Sequence, residues 1–191
     1  YKRGYKWKSK SIHDEVSVLL SDLYDAFLKM NDKQSNTEYY LQYITVKKTN
    51  QNGNDVFEVI DGQQRLTTLT LLFNMLEKYF EIENIAKKSD NYLLQYARYL
   101  GKDTNIFDSI HKLLDDKTID IEKVEEQDKY YLYGAAKTIR TFFQILKEND
   151  ENKFIPFVDF IRKYEKIILN KEDEFTSAEE VFSSLNANKV P

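Results

Sequence analysis

The sequence predicts an α+β fold in which a small β-sheet lies beside a larger helical part. Residues 38–47 and 55–60 are strand-like runs, and the turn-forming residues 50–54 between them predict a β-hairpin. Apolar residues then recur at helical spacing from Leu66 to Phe80. Beyond Phe80 the chain is predicted to be mostly helical, and no repeat or low-complexity linker divides it.

A first helix is predicted ahead of the hairpin. Ser11 is a candidate N-cap because Asp14 follows three residues later. An apolar stripe with helical spacing would face the core. Its members are Ile12, Val16, Leu19, Leu20, Leu23, Phe27 and Met30.

The segment after Phe80 is predicted to contain several helices and one short strand. The helices are expected at residues 91–100, 106–114, 128–148 and 152–164, with a charged connector at 115–129. Pro156 lies near the start of the last of them. The strand at residues 167–169 is expected to join the sheet of the hairpin. Thr176 and Glu179 form a capping box for a final helix.

Composition limits the class of protein. The 191 residues are 41% hydrophobic and 14% aromatic, which favours a folded globular domain. No apolar run approaches the roughly 20 residues of a membrane span, and no secretory signal is visible, so we expect a cytoplasmic protein without membrane contact. The net charge is −4, so any DNA contact should be local or supplied by another domain.

Several site types are excluded or disfavoured by the sequence. Neither a Walker loop nor a dinucleotide-binding glycine motif occurs. The chain has no cysteine, and His13 and His111 are its only histidines, which argues against a structural zinc site and against an H-N-H nuclease centre in these residues. Ordinary roles are expected for both histidines. The acidic stretch 115–128 is interpreted as a solvated face.

The polar turn Asp61-Gly62-Gln63-Gln64-Arg65, between the predicted strand and the helix, is the centre of the chain's chemistry. In one interpretation it only caps the helix, with Asp61 as the N-cap and Gln64 completing a capping box. Gly62 in the first helical turn and Arg65 near the positive helix end fit this interpretation poorly. In the other, the backbone N–H groups of residues 62–66 and the Arg65 guanidinium bind an anion.

Three motifs together resemble a known family. The sequence DGQQRLTTL, residues 61–69, is similar to the signature of the N-terminal domain of GmrSD-type restriction endonucleases. YKRGYKW at residues 1–7 resembles the opening motif of that family, with Lys2 in place of glutamine. VFSSLNANKVP at residues 181–191 resembles its closing element. The motifs occur in the order typical of the family and span nearly the whole chain.

The resemblance implies a small mixed sheet of the ParB/sulfiredoxin-like type. Residues 1–80 would form the first part of this core, residues 81–164 a large helical insertion, and residues 165–191 the return to the core. It also implies a nucleotide-binding and NTP-hydrolysing domain of a modification-dependent (type IV) restriction or antiphage system. A separate nuclease domain would then follow and cut modified DNA, so we interpret the chain as a fragment of a longer protein.

Roles can be assigned to individual residues under this hypothesis. Asp61 would hold Mg²⁺ or another divalent cation such as Ca²⁺, or orient water. Gln63 and Gln64 would contact the nucleotide or position water, and Arg65 would neutralise phosphate charge. Tyr5 and Trp7 offer base-stacking surfaces, although burial in the core is the alternative for both. The proposed phosphate-binding set is Arg3, Gly62, Arg65, Leu66, Thr67, Thr68, Asn186 and Lys189.

Two other functions remain open from the sequence. The chain is alternatively a ParB-like DNA-binding or DNA-nicking module, which predicts binding that weakens steeply with salt. It is otherwise a non-catalytic interaction domain in which the central turn is only a cap. Thr67 and Thr68 as ordinary helix residues are equally compatible with the pattern. Homo-oligomer formation is compatible with each of these functions.

Overall fold

The structure is a computed structural model that describes residues 4–33, 39–51, 53–82, 106–116, 118 and 120–172. It confirms the α+β class. The elements in chain order are α1 (Glu15–Lys33), β1 (Tyr39–Gln51), β2 (Asn54–Asp61), α2 (Gln63–Phe80), α3 (Ile106–Asp115), α4 (Gln127–Asn149), α5 (Glu151–Tyr164) and β3 (Glu165–Glu172). A short 3-10 turn, Ile121–Lys123, precedes α4. The helices predicted at 91–100 and after Thr176 lie outside the described residues.

In the part of the chain that the structure describes, the sheet has three strands in the order β2-β1-β3. β1 and β2 form the predicted antiparallel hairpin, whose turn contains Gly53 at a φ of 83°. β3 pairs with β1 in parallel, so the prediction that a late strand joins the hairpin is confirmed. β1 is thus the central strand.

The predicted stripe of α1 is confirmed from Val16 onwards, but its beginning is wrong. The helix begins at Glu15, and the Asp14 carboxylate accepts the N–H groups of Lys10 and Ser11 at 2.7 and 2.8 Å. Ser11 therefore does not cap the helix. Ile12 precedes the first helical turn and is 80% exposed. It therefore does not belong to the buried stripe that helical spacing predicted.

One hydrophobic core joins the five helices of the described residues. Aromatic rings form much of it: Phe27 of α1 lies 5.4 Å from Phe157 of α5, and Phe143 of α4 stacks on Phe157 at 5.7 Å. Pro156 lies inside α5, where it removes one backbone N–H from the helix. The division into residues 1–80, 81–164 and 165–191 stays a prediction. None of the described helices has both the length and the apolarity that a bilayer span requires.

Candidate functional site

The central turn connects the end of β2 to the first residue of α2. Asp61 is the last residue of the strand, Gly62 is the N-cap of the helix, and Gln63 begins α2. The Leu66 N–H donates to the Gly62 carbonyl at 3.0 Å. The prediction that Asp61 is the N-cap and forms a capping box with Gln64 is therefore wrong.

Gly62 is required by the fold itself. Its φ is 85° and its ψ 8°, in the left-handed region that side chains disfavour. A Cβ built on Gly62 would lie 2.9 Å from Cγ1 and 3.3 Å from Cα of Ile44, which is buried in β1. The expectation that Gly62 lies within the first helical turn is thus corrected. A glycine at this position is explained without any ligand.

A β-bulge precedes the turn. Val46 pairs with Val59, but the next residue of β1, Thr45, pairs with Asp61, which leaves Ile60 as an extra residue in β2. The Gln63 side chain returns to this point, where Nε2 donates to the Val59 carbonyl at 2.6 Å. Gln63 therefore connects the start of α2 to the bulged end of β2.

Gln64 binds the opening strap, which we define as residues 4–10. Its Oε1 accepts the Lys6 N–H at 2.8 Å, and its Nε2 donates to the Gly4 carbonyl at 2.9 Å. One helical turn further, the Tyr5 hydroxyl lies 2.8 Å from Thr68 Oγ1. The strap thus lies along the first two turns of α2. Arg3 immediately precedes it in the sequence.

The strap also contacts α1 and α4. The Lys8 N–H donates to Glu15 Oε2 at 2.9 Å, and Thr138 Oγ1 donates to the Ser9 carbonyl at 2.9 Å. A Cβ on Gly134 would lie 2.7 Å from Ser9 Oγ, so α4 approaches the strap closely here. The strap therefore links the central turn to the helical core.

Replacing Gln64 with alanine should release the opening strap. Loss of two hydrogen bonds, with a backbone donor and acceptor left to solvent, should lower the free energy of unfolding by about 1–3 kcal/mol. Trypsin should cut faster after the exposed Lys6 and Lys8, which mass spectrometry of timed digests would measure. Gln144→Ala, on the exposed face of α4, is the matched control. Equal cleavage rates in the two variants would contradict this role of Gln64.

Thr67 and Thr68 use their hydroxyl hydrogens inside α2. Thr67 donates to the Gln63 carbonyl at 2.8 Å and Thr68 to the Gln64 carbonyl at 2.9 Å. Because a hydroxyl has only one hydrogen, Tyr5 is then the donor in its bond with Thr68. The two threonines are 4% and 0% exposed. Donation to a nucleotide stays a prediction and would require these bonds to break.

Asp61 ends β2 and Arg65 is the third residue of α2, and both are half-buried. Within the described part of the chain, no hydrogen bond or salt bridge reaches the Asp61 carboxylate. Arg65 does make an interaction, so its guanidinium is not free. The backbone N–H groups of the first turn point out of this end of the helix. Leu66 follows them and is half-buried.

The aromatic residues of the opening motif lie against the core. Tyr5 is fully buried, and Trp7 is half-buried against the same cluster. These positions agree with the core alternative, and base stacking stays a prediction. The other predicted site residues, Arg3, Asn186 and Lys189, lie outside the described residues.

His111 lies away from the turn, on α3. It is 7% exposed, and burial lowers the pKa of its imidazole. Its ring lies 5.7 Å from that of Tyr79, whose hydroxyl donates to Asp115 at 2.7 Å. Among the described residues, no group of three or more histidine or acidic side chains has the arrangement of a metal site.

Sequence reasoning did not single out Thr45 of β1. It is 0% exposed, and its Oγ1 has no hydrogen-bond partner. The bulge places it opposite Asp61. Counting back from the hairpin turn with a regular register would instead place Ile44 opposite Asp61. No signal in the sequence marks the bulge.

The comparison with protein families agrees with the motifs. A family model described as "GmrSD restriction endonuclease, N-terminal domain" matches residues 1–191. No curated protein matches the chain.

Proposed function

The chain belongs to the family of GmrSD restriction endonuclease N-terminal domains, and from this membership we propose that it binds a nucleoside triphosphate at the β2–α2 turn and hydrolyses it. The ParB/sulfiredoxin-like type of the sheet belongs to the same proposal. We also propose that modified DNA and a nuclease domain of a longer protein are the partners of this activity.

One observation carries this proposal, namely that the fold accounts for three residues of the turn and not for Asp61. Gly62 is required by its φ and by Ile44. The side chains of Gln63 and Gln64 bind Val59 and the opening strap. The half-buried Asp61 carboxylate has no such partner among the described residues. The fold therefore leaves this carboxylate available to a ligand such as a divalent cation, which supports the proposal.

Arg65 is the proposed phosphate-binding residue. A guanidinium at the third position of a helix lies close to the first-turn amides, so both can contact the same phosphate oxygens. During hydrolysis, water attacks the terminal phosphorus in line and the P–O bond to the leaving diphosphate breaks. Arg65 would neutralise charge on the oxygens involved. Asp61 would hold the divalent cation that shields the phosphates.

Gln64 has a different role in this proposal from the one the sequence suggested. Both polar groups of its side chain bind the backbone of the strap. We therefore assign it to positioning the strap beside the turn. Gln63 is assigned in the same way to positioning the end of β2.

Calorimetric titration with ATP, GTP, CTP and UTP in the presence of Mg²⁺ would test the site. Arg65→Ala should weaken binding of the preferred nucleotide about 10- to 100-fold, because a charge-assisted hydrogen bond contributes about 1.5–3 kcal/mol. Arg162→Ala, which removes an exposed arginine of α5, should bind like the wild type. Equal dissociation constants for Arg65→Ala and the wild type would refute the site. Salt-sensitive DNA binding without nucleotide binding would instead support the DNA-binding alternative.

A further inference from the structure

A buried hydroxyl without a partner lies beside the proposed nucleotide site. Thr45 is fully buried in the central strand, and its Oγ1 makes no hydrogen bond. Such a group is unfavourable for folding, since its hydrogen bonds to water are lost and not replaced. Valine has nearly the same shape and would fill this position without that penalty. The hydroxyl therefore needs an explanation that the fold does not supply.

The position of Thr45 suggests what this group contacts. Thr45 and Asp61 are directly paired across β1 and β2. Residues directly opposite each other in an antiparallel pair carry their side chains on the same face, with Cβ atoms about 4.5–5.5 Å apart. On this rule the side chains of Thr45 and Asp61 lie on one face of the sheet, at the bulge. Neither has a hydrogen-bond partner among the described residues.

The charge of this pair indicates which type of ligand it would bind. A carboxylate repels a bare phosphate but attracts a cation, and a hydroxyl beside it adds a second oxygen ligand. Hard divalent cations such as Mg²⁺ and Mn²⁺ prefer oxygen, and they typically keep several waters while binding one or two protein groups and the phosphates of a substrate. Two protein oxygens at the edge of a phosphate site match this pattern.

We propose that Thr45 Oγ1 and the Asp61 carboxylate bind one hydrated divalent cation, whose remaining positions are filled by water and by phosphate oxygens of the nucleotide. This inference rests on the proposed function and adds Thr45 to it. It explains why a buried hydroxyl lies opposite Asp61 and why the register shifts by one residue there. A regular register would have placed the Ile44 side chain beside the carboxylate.

A titration with Mn²⁺ tests the pair. The electron paramagnetic resonance signal of free Mn²⁺ measures how much of the ion is bound. Thr45→Val should weaken Mn²⁺ binding by about tenfold or more, and Thr45→Ser, which keeps the hydroxyl, should stay within about threefold of the wild type. Asp61→Asn should lose the site. In metal-free buffer the Tm of Thr45→Val should equal or exceed that of the wild type, because an unpaired polar group is removed.

Thr49→Val is the matched control, since the Thr49 hydroxyl on the same strand donates to the Val56 carbonyl at 3.2 Å. It should lower the Tm slightly and leave Mn²⁺ binding unchanged. Wild-type affinity for Mn²⁺ in Thr45→Val would overturn the inference. So would a Tm of Thr45→Val that falls as much as that of Thr49→Val, because the hydroxyl would then have a structural partner.

Nucleotide titrations in EDTA and in Mn²⁺ separate this inference from the proposed function. If the wild type binds Mn²⁺ through Thr45 but binds no nucleotide in either buffer, the cation site stands and the proposed function fails. If the wild type binds nucleotide and Thr45→Val binds both ligands equally well, the proposed function stands and the assignment of Thr45 fails.

Discussion

Gly62→Ala is expected to lower the free energy of unfolding by about 2–5 kcal/mol. A side chain in the left-handed region costs about 1–2 kcal/mol, and overpacking a filled interior adds about 1–3 kcal/mol. The new Cβ would meet both the side chain and the backbone of Ile44, at 2.9 and 3.3 Å. Rotation of the Ile44 side chain can relieve only the first contact. Thermal and urea unfolding would measure the loss.

Gly53→Ala separates the conformational cost of a side chain from the cost of the contact with Ile44. Gly53 has nearly the same φ, 83°, but a Cβ there would meet no atom within 4 Å. It should therefore show only the conformational cost, about 1–2 kcal/mol. If the two variants lose equal stability, the contact with Ile44 contributes nothing. In the double variant Gly62→Ala/Ile44→Ala, the loss should be smaller than the sum of the two single losses.

Much of the fold could be predicted from the sequence because it follows from local patterns. The apolar stripe of α1 from Val16 onwards, the hairpin and the helix after the turn all have periodic or turn signals. The third strand is marked by a short apolar run, but its parallel pairing is not. The family could also be predicted, because its motifs are short, ordered and specific. These features need no knowledge of which residues meet across the fold.

The details of the candidate site depend on contacts between distant residues. The N-cap is Gly62 and not Asp61 because β1 passes so close to it. The partners of Gln64 lie 58 and 60 residues earlier in the chain. Thr45 pairs with Asp61 only because β2 has one extra residue at the bulge. Helix-capping rules and strand alternation consider neighbours in sequence, so they cannot predict these three features.

The contacts of Gln63 and Gln64 show that part of the motif that suggested the function has a structural role. Two of its five residues connect backbone segments, and a third is a glycine required by packing. Substitutions at these three positions would impair binding by disturbing the turn, without removing a ligand contact. Loss of activity in such variants is therefore weak support for a nucleotide site. Asp61, Arg65 and Thr45 are the informative positions.

Phe157→Ala should have the largest effect on stability in the helical part. Phe157 is fully buried, and its ring lies within 5.7 Å of those of Phe27 and Phe143, on two other helices. Truncating a buried phenylalanine costs about 3–5 kcal/mol, or roughly 6–20 °C in Tm for a chain of this size. Ile155→Ala on the same helix, at a side chain that is 52% exposed, should change stability by no more than about 0.5 kcal/mol.

The shape of the unfolding transition in Phe157→Ala distinguishes one cooperative unit from two. The core around Phe157 includes side chains of α1 and α2, which flank the β1–β2 hairpin in sequence, as well as those of the later helices. Weakening it should therefore destabilise the sheet and the helices together, and circular dichroism and hydrogen exchange of the β1 and β2 amides should report the same midpoint. A separate, earlier transition seen by circular dichroism alone would show that the helices unfold as an independent insertion. Stable nucleotide binding by that intermediate would place the site entirely within the remaining core.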